Sequence, residues 1–267
     1  MLKTAGLFSA SIPLLNFLPN DIKAKPIYFN ETISPVSKPV TAIVIGAGAR
    51  GNIYASYSLK YPEQLKIVGV AEPIKIRREK FSKTYSIEPK YQWNTWEDVF
   101  QHSKLADAVI ITTPDHLHYG PAMAALKNGY DLLLEKPIAQ TWSECSDILN
   151  LTKEKNKIVG ICHVLRYTPY FRKMKEVVSS GVLGDIVSIQ HLESVQHVHM
   201  SHSFVRGNWR NTKESNFMLI AKSCHDLDIL RWMTNKNCVR VSSFGSLKHF
   251  KEKNAPVGST LRCTDGC

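Results

Sequence analysis

The sequence predicts an α/β fold in which a doubly wound parallel sheet is followed by an incomplete α+β domain with a mainly antiparallel sheet. Three observations support this prediction. Apolar strands alternate with helical segments over residues 40–162, which is the pattern of a parallel sheet with right-handed crossovers. A glycine-rich turn follows the first of these strands. From residue 163 the pattern changes to long alternating segments, which indicate strands with one covered face.

The chain therefore divides into a leader over 1–39, a Rossmann-like domain over 40–162 and a second domain over 163–267, which we expect to be truncated because it holds few strands. Within the leader, Leu2–Leu15 is a short apolar stretch with small residues and one lysine near its start, as in a signal peptide. It also resembles a twin-arginine export signal without the arginine pair. We expect a periplasmic or exported protein; the alternative is a cytoplasmic protein with a disordered leader.

The composition is basic but does not indicate a nucleic-acid binder. The 267 residues carry a formal net charge of +11. Lysines and arginines are scattered along the chain, and no nucleic-acid-binding motif accompanies them. We interpret the excess as a solvated basic surface that also favours an anionic cofactor. No apolar run reaches the length of a membrane span.

Cysteine and histidine spacing predicts no metal site. The six cysteines are too scattered for a disulfide framework, and only Cys263 and Cys267 could form a metal or disulfide corner. No second cysteine pair accompanies them, so the metal interpretation is not favoured. Four histidines are better interpreted as a solvated or substrate-lining face, because the alternating pair among them has no cysteine or carboxylate at ligand spacing: His191, His197, His199 and His202.

The glycine-rich turn has the form of a dinucleotide-binding site. A buried strand over Ala42–Ile45 leads into Gly46-x-Gly48-x-x-Gly51, and a helix is predicted to follow. Gly46 allows the tight turn, Gly48 lets the backbone approach a pyrophosphate, and Gly51 lets helix and strand pack closely. The N–H groups at the start of the helix face the phosphates. The alternative is a glycine turn that binds no ligand.

The next strand, Leu65–Glu72, strengthens the cofactor interpretation. Glu72 lies about 20 residues beyond Gly51, where a carboxylate meets the adenosine ribose hydroxyls. A carboxylate about 4 Å from a 2′-phosphate repels it by about 4 kcal/mol at an effective dielectric near 20, so Glu72 favours NAD over NADP. Arg77 and Arg78, one helical turn later, weaken that preference.

The remaining elements follow in chain order. For the first domain we predict helices over 74–85, 96–103, 121–127 and 141–153, and strands over 106–112, 130–135 and 157–162. Thr141 and Glu144 have the spacing of a capping box. For the second domain we predict helices over 169–181 and 223–233, and strands over 184–196 and 238–247.

Four further motifs follow the predicted strands or open a helix: Thr112–His118, Glu135–Pro137, His163–Tyr167 and Ala221–Asp228. Ligands of open parallel sheets bind at the carboxyl ends of the strands. In this order the motifs resemble the glucose–fructose oxidoreductase / inositol dehydrogenase (Gfo/Idh/MocA) family. The resemblance covers residues 40 to about 245.

The resemblance implies roles for particular residues. Those implied to hold the cofactor are Gly46, Gly48, Ala49, Arg50, Gly51, Glu72, Thr113, Pro114, His118, Glu135 and Lys136. Those implied to act on the substrate are Lys136, His225 and Tyr167, and those implied to bind it are Arg166, Trp209, Arg210 and Asp228. Trp209 could stack on a sugar ring. Arg166 and Tyr167 could instead pack at the domain boundary.

Lys136 would take the hydroxyl proton as hydride leaves the same carbon. A lysine can do so if its pKa falls from about 10.4 to nearer 7, which takes about 4 kcal/mol of unfavourable surroundings. A surface lysine is the alternative. The family usually carries an aspartate where this chain has Ala221, so Asp226 or Asp228 would orient His225, Lys222 would take a new role, or His225 would only bind substrate or pack in the core.

The resemblance therefore predicts an NAD(P)-dependent oxidoreductase that acts on a ring hydroxyl of a sugar or cyclitol. One alternative is an NAD-dependent glycoside hydrolase, because the run Lys222–Asp228 with Gly207–Arg210 upstream resembles NAD-dependent α-N-acetylgalactosaminidases. The other is a non-catalytic NAD-binding protein. The expected partners are a small-molecule substrate and, because an open second sheet suits subunit pairing, another copy of the chain.

Overall fold

The computed structural model describes residues 37–213, 215–261 and 264–266. It contains one parallel sheet with the strand order β3-β2-β1-β4-β5-β6. The strands are β1 (Val40–Ile45), β2 (Leu65–Ala71), β3 (Gln92–Trp93), β4 (Ala108–Ile111), β5 (Asp131–Leu134) and β6 (Val159–Ile161). The order reverses between β1 and β4, which is the switch point of a doubly wound sheet. The predicted α/β architecture of this part of the chain is confirmed.

The helices connect and cover these strands. They are α1 (Ala49–Ala55), α2 (Tyr57–Lys60), α3 (Lys75–Tyr85), α4 (Trp96–Val99), α5 (Tyr119–Lys127), α6 (Trp142–Glu154), α7 (Pro169–Ser179), α8 (His197–His199), α9 (Met218–Ala221) and α10 (Cys224–Thr234). A π-helical turn, Met200–Val205, continues α8. The predicted helix over 96–103 is shorter than expected, and β3, α8 and α9 were not predicted.

The core lies on both faces of the sheet, which explains why β1 is apolar throughout its second half. Ile43 and Ile45 join the cluster formed with α5 and α6, whereas Val44 joins the cluster that contains Phe81 of α3. Each of these four side chains is 2% exposed or less. Burying a side chain of this size contributes about 1.5–3 kcal/mol, so a strand covered on both faces needs apolar residues at successive positions.

Two helix starts predicted from cap residues are confirmed. At α6 the Glu144 N–H donates to Thr141 Oγ1 (3.2 Å), and the Thr141 N–H donates to Glu144 Oε2 (3.0 Å). At α7 the Thr168 hydroxyl oxygen accepts from the Phe171 N–H, and Pro169 occupies the first helical position. Both starts follow from local chemistry, which is why sequence spacing located them.

The antiparallel sheet expected in the second domain is not shown by the structure. No strand forms over 184–196 or 238–247 among the described residues. Val187, Val239 and Phe244 are at least 95% exposed there. A strand exists only through hydrogen bonds to a neighbour, and none of the described elements pairs with these segments. The alternating pattern therefore predicted strands that have no partner in this structure.

Several expectations lie outside the described residues. They include the export signal over Leu2–Leu15 and the pair formed by Cys263 and Cys267. Within the part of the chain that the structure describes, no helix combines the length and apolar character needed to cross a bilayer.

Candidate active site

The turn after β1 has the backbone geometry that its glycines predict. Gly46 has a φ of 95°, and a Cβ there would lie 2.9 Å from the backbone of Thr112. A Cβ on Gly51 would lie 2.2 Å from the carbonyl oxygen of Gly46, so the third glycine closes the turn on itself. Gly48 caps α1 and has no heavy atom within 4 Å of its Cβ position. The turn is thus tight at two glycines and open at Gly48.

The open side of this turn faces a cleft of about 1000 Å³. The cleft passes the carboxyl ends of β1, β4 and β5 and reaches α9, the start of α10 and the segment around Trp209. The predicted site residues that line it are Gly46, Gly48, Ala49, Arg50, Glu72, Thr113, Pro114, Glu135, Lys136, Trp209 and His225. Residues far apart in sequence therefore meet on one surface.

Glu72 lies at the end of the cleft near β2. Its side chain is 4% exposed, and its carboxylate accepts from the backbone N–H of Ala47 (2.8 Å) and of Ile74 (3.0 Å). These two bonds fix the carboxylate beside the glycine turn. Arg77 and Lys80 of α3 also line this end of the cleft. The carboxylate is thus held beside the glycine turn, on the same cleft surface as these two cationic residues.

Glu135 and Lys136 follow β5 at the middle of the cleft. Glu135 is 6% exposed; its Oε1 accepts from the Tyr54 hydroxyl (2.7 Å) and lies 3.6 Å from Arg50 Nε. Burial raises the pKa of Tyr54, and burial also raises the pKa of the neighbouring Cys162 to about 11. The tyrosine and the thiol therefore stay protonated at neutral pH, and the Tyr54 hydroxyl can donate to Glu135.

The Lys136 side chain crosses toward the second domain. Its Nζ donates to the carbonyl oxygen of Ala221 (2.8 Å), the last residue of α9. The start of α10 carries His225, which lines the same cleft. Lys136 and His225 thus share one wall, although they lie on different elements.

The imidazole of His225 is held neutral. Its pKa is lowered to about 4, chiefly by burial and next by the charge of Lys136. Its Nδ1 is buried without a hydrogen-bond partner among the described residues. The ring of His163 packs edge-on against it, with the centroids 5.7 Å apart. Because Nδ1 is buried, a hydroxyl bound in the cleft can donate only to the other nitrogen of this neutral ring, Nε2.

Neither aspartate considered from the sequence orients His225. The Asp226 carboxylate contacts His191 Nε2 at 2.8 Å, and Asp228 accepts from Arg166 Nε at 2.7 Å. The hydrogen bonds to Asp228 raise the pKa of Arg166. His163 was not predicted as a site residue, although it is the first residue of the His163–Tyr167 motif. Its Nδ1 lies 3.8 Å from Asp228, and burial lowers its pKa.

Several predicted site residues do not line the cleft. His118 is 1% exposed, and its two ring nitrogens contact the carbonyl oxygens of Pro137 (2.7 Å) and Thr113 (2.9 Å). It joins the two loops that carry Thr113 and Lys136. Tyr167 is 71% exposed at the end of a short 3-10 helix, so its hydroxyl faces solvent.

Four more predicted site residues lie away from the cleft, each because of contacts in its own neighbourhood. Arg166 and Asp228 bind each other, Arg210 is exposed near its contact with the carbonyl of Gly207, and Gly51 is buried inside the turn. These four positions lie outside the surface of the cleft.

Asp115 and Lys222 are among the cleft residues that were not predicted as ligand contacts. Asp115 is 5% exposed, and its Oδ2 accepts from Trp209 Nε1 (2.9 Å) and Asn216 Nδ2 (3.3 Å). It lies inside the Thr112–His118 motif, which was the available signal. Lys222 also lines the cleft, and its Nζ lies 2.8 Å from Glu193 Oε1.

The four histidines proposed to form a face have different surroundings. His197 and His199 lie in the short helix α8 rather than on a strand, and His199 lines the cleft. His191, Glu193 and Asp226 place one nitrogen and two carboxylate oxygens within 4.8 Å of one another, a spacing that a metal ion could use. The ammonium of Lys222 already neutralises Glu193 in this group.

The sheet order, the glycine turn and the cleft at the switch point define a dinucleotide-binding α/β protein. Residues 40–163 match the family model described as "Oxidoreductase family, NAD-binding Rossmann fold", and residues 171–267 match the GFO/IDH/MocA C-terminal domain. The two models together match most of the chain. The chain therefore belongs to the Gfo/Idh/MocA oxidoreductase family, and its cofactor domain is an NAD-binding Rossmann fold, as predicted.

Curated relatives and a solved structure agree with this assignment. The chain is 26% identical to scyllo-inositol 2-dehydrogenase (NAD(+)) of Bacillus subtilis, over 83% of this chain and 62% of the relative. It is 31% identical to inositol 2-dehydrogenase 1 of Saccharopolyspora erythraea, over 51% of this chain and 37% of the relative.

The crystal structure of apo scyllo-inositol dehydrogenase from Lactobacillus casei superposes with a TM-score of 0.61 at 23% identity, over 74% of this chain and 55% of that one. At this identity the superposition shows the shared fold. The chain spans about a third to three fifths of the length of these two curated relatives.

Proposed function

We propose that the protein oxidises a ring hydroxyl of a sugar or cyclitol, with NAD as the hydride acceptor. The observation that carries the proposal is the position of Lys136, which lies in the same cleft as the glycine turn and beside His225. The names of the two inositol dehydrogenase relatives support the substrate class. The buried carboxylate of Glu72 supports a preference for NAD over NADP, because it would repel a 2′-phosphate.

The residues present fit a dinucleotide. No heavy atom lies within 4 Å of the Cβ position of Gly48, so the turn is open there. The first N–H groups of a helix have no partner within it, so those of α1 would meet a diphosphate bound at this place. Glu72 would hold the ribose, and Glu135 and Lys136 would lie at the reacting end. When bound, NAD supplies the group that accepts the hydride.

The chain's own residues supply the proton chemistry. As a C–H bond of the substrate breaks to release hydride, the proton of the attached hydroxyl must leave, and Lys136 is placed to accept it. His225 is neutral and lines the cleft, so its Nε2 would accept a hydrogen bond from the same or the adjacent hydroxyl. The indole of Trp209 also lines the cleft, where the apolar face of a sugar ring could stack on it.

The test is NADH formation, followed at its absorbance, with myo-inositol, scyllo-inositol and a panel of hexoses. We expect Lys136→Ala to lower kcat by about a hundredfold to ten-thousandfold, the usual contribution of a general base, while NAD binding changes little. Lys127→Ala, at the end of α5 and outside the cleft, is the matched control. Circular dichroism checks that both variants fold.

Three results would contradict the proposal. Unchanged turnover in Lys136→Ala would remove the lysine from the chemistry. Release of nitrophenol from nitrophenyl glycosides without net NADH formation would favour the glycoside hydrolase alternative. NAD binding with neither activity would favour the non-catalytic alternative.

A further inference from the structure

We propose that Lys222 forms a carboxylate-binding subsite in the cleft, so that the substrate is an acidic sugar or acidic cyclitol such as a uronate. This inference rests on the proposed function, because it specifies the substrate of that same cleft. It comes from the charges that line the cleft and from the contacts that each of them makes.

The carboxylates on the cleft surface are all occupied by partners within the protein. Glu72 accepts from two backbone N–H groups, and Glu135 accepts from Tyr54 and lies beside Arg50. Asp115 accepts from Trp209 and Asn216. None of these three carboxylates contacts a lysine of the cleft at ion-pair distance among the described residues, so the ion-pair partner of Lys222 is Glu193, which does not line the cleft.

The lysines at the reacting end lie side by side. Lys136 Nζ donates to the carbonyl oxygen of Ala221, and Lys222 is the next residue along the chain. The charges of both side chains lower the pKa of His225, which places both within electrostatic reach of that imidazole. Ala221 itself carries no charge. The wall that would face the substrate is therefore cationic, and an oxidised nicotinamide ring would add another positive charge.

Lys222 has donor capacity left for a ligand. Its Nζ contacts Glu193 Oε1 at 2.8 Å, and an ammonium group has three N–H donors. Glu193 lies outside the cleft surface with its side chain 37% exposed, whereas the Lys222 side chain is 27% exposed and lines the cleft. A neutral sugar gains little from a charged donor at this place, but a carboxylate gains a charge-assisted hydrogen bond.

The experiment is calorimetric titration of the NADH-loaded protein with three uronates, D-glucuronate, D-galacturonate and D-mannuronate, and with the parent sugars, glucose, galactose and mannose. NADH prevents turnover, so binding is measured by itself. We expect at least one uronate to bind about tenfold or more tightly than its parent, and Lys222→Gln to abolish that preference.

Glu193→Gln provides a test in the opposite direction. It removes the competing carboxylate, so we expect uronate affinity to rise by about threefold, the size of a typical exposed ion pair. Lys173→Gln is the matched control, because Lys173 pairs with Glu176 at 2.7 Å on α7, outside the cleft. It should leave the uronate preference unchanged.

The subsite is refuted if no uronate binds more tightly than its parent, or if Lys222→Gln keeps the preference. It is also refuted if Lys222→Gln and Glu193→Gln weaken uronate binding alike, since that result marks a purely structural ion pair. Failure of the proposed oxidation is a different result: uronates would bind through Lys222, but neither the uronates nor the inositols and hexoses would yield NADH with NAD⁺.

Discussion

The chemistry of the cleft depends at the residue scale on two basic groups kept in different states. The Nζ of Lys136 donates to the carbonyl of Ala221, while the buried imidazole of His225 stays neutral. A cation beside a buried histidine disfavours a second positive charge, so the charge of Lys136 helps to keep His225 neutral. The imidazole can then accept a hydrogen bond.

The depressed pKa of His225 makes stability depend on pH. In the unfolded chain a histidine titrates near pH 6.5, whereas in the native state the pKa of His225 is about 4. Between these values the unfolded chain binds the proton and the native protein does not, so stability is lost as pH falls from about 6.5 to about 4. Because the ring is partly exposed, we expect a loss of about 1–2 kcal/mol.

Urea unfolding at pH 7 and pH 4.5 measures this loss, with His225→Asn as the comparison because asparagine does not titrate. The difference in stability between the two pH values should be smaller in the variant. His163, whose pKa is lowered mainly by burial, contributes in the same direction in both proteins. An identical pH dependence of wild type and variant would contradict the account.

The individual elements show how far sequence could predict this fold. The glycine turn, the strands β1 and β4 and the caps of α6 and α7 were predictable, because each depends on residues adjacent in the chain. The strands expected over 184–196 and 238–247 depend on a distant pairing partner, which local alternation does not supply.

The residues of the candidate site also fall into a group that the sequence could locate and a group that it could not. Residues on the strand-end turns, such as Glu72 and Lys136, reach the cleft because the sheet topology carries them there. His118, Tyr167 and Arg166 also belong to motifs that follow predicted strands. The direction of their side chains is set by tertiary contacts, however, and these three do not line the cleft. Two carbonyl oxygens hold His118 inside, and Asp228 holds Arg166. The sequence did not specify those contacts.

The glycine turn gives a prediction at the scale of a single element. Gly51→Ala should destabilise the protein by about 1–3 kcal/mol, because its Cβ would lie 2.2 Å from the carbonyl oxygen of Gly46. Gly48→Ala should unfold like the wild type, since no atom lies within 4 Å of its Cβ position, but it should bind NAD at least about tenfold more weakly because that space receives the diphosphate. Thermal denaturation and NAD titration separate the two effects. Wild-type NAD affinity in Gly48→Ala would show that the diphosphate does not approach there.

At the scale of the whole molecule, residues of the cofactor domain and residues that follow β6 in the chain line the same cleft. Asp115 is buried between Trp209 and Asn216, and Lys136 reaches Ala221. These contacts bring the segment around residues 203–225 against the carboxyl edge of the sheet. The arrangement explains why Lys136, His225 and Trp209, which are far apart in sequence, line one cavity of about 1000 Å³.

The most direct measurement of the central claim is a crystal structure of the protein grown or soaked with NAD⁺. We predict electron density for the diphosphate at the start of α1, the adenosine ribose at Glu72 and the nicotinamide ring beside Glu135 and Lys136. An empty cleft at saturating NAD⁺, or a nicotinamide ring placed away from Lys136, would contradict the account.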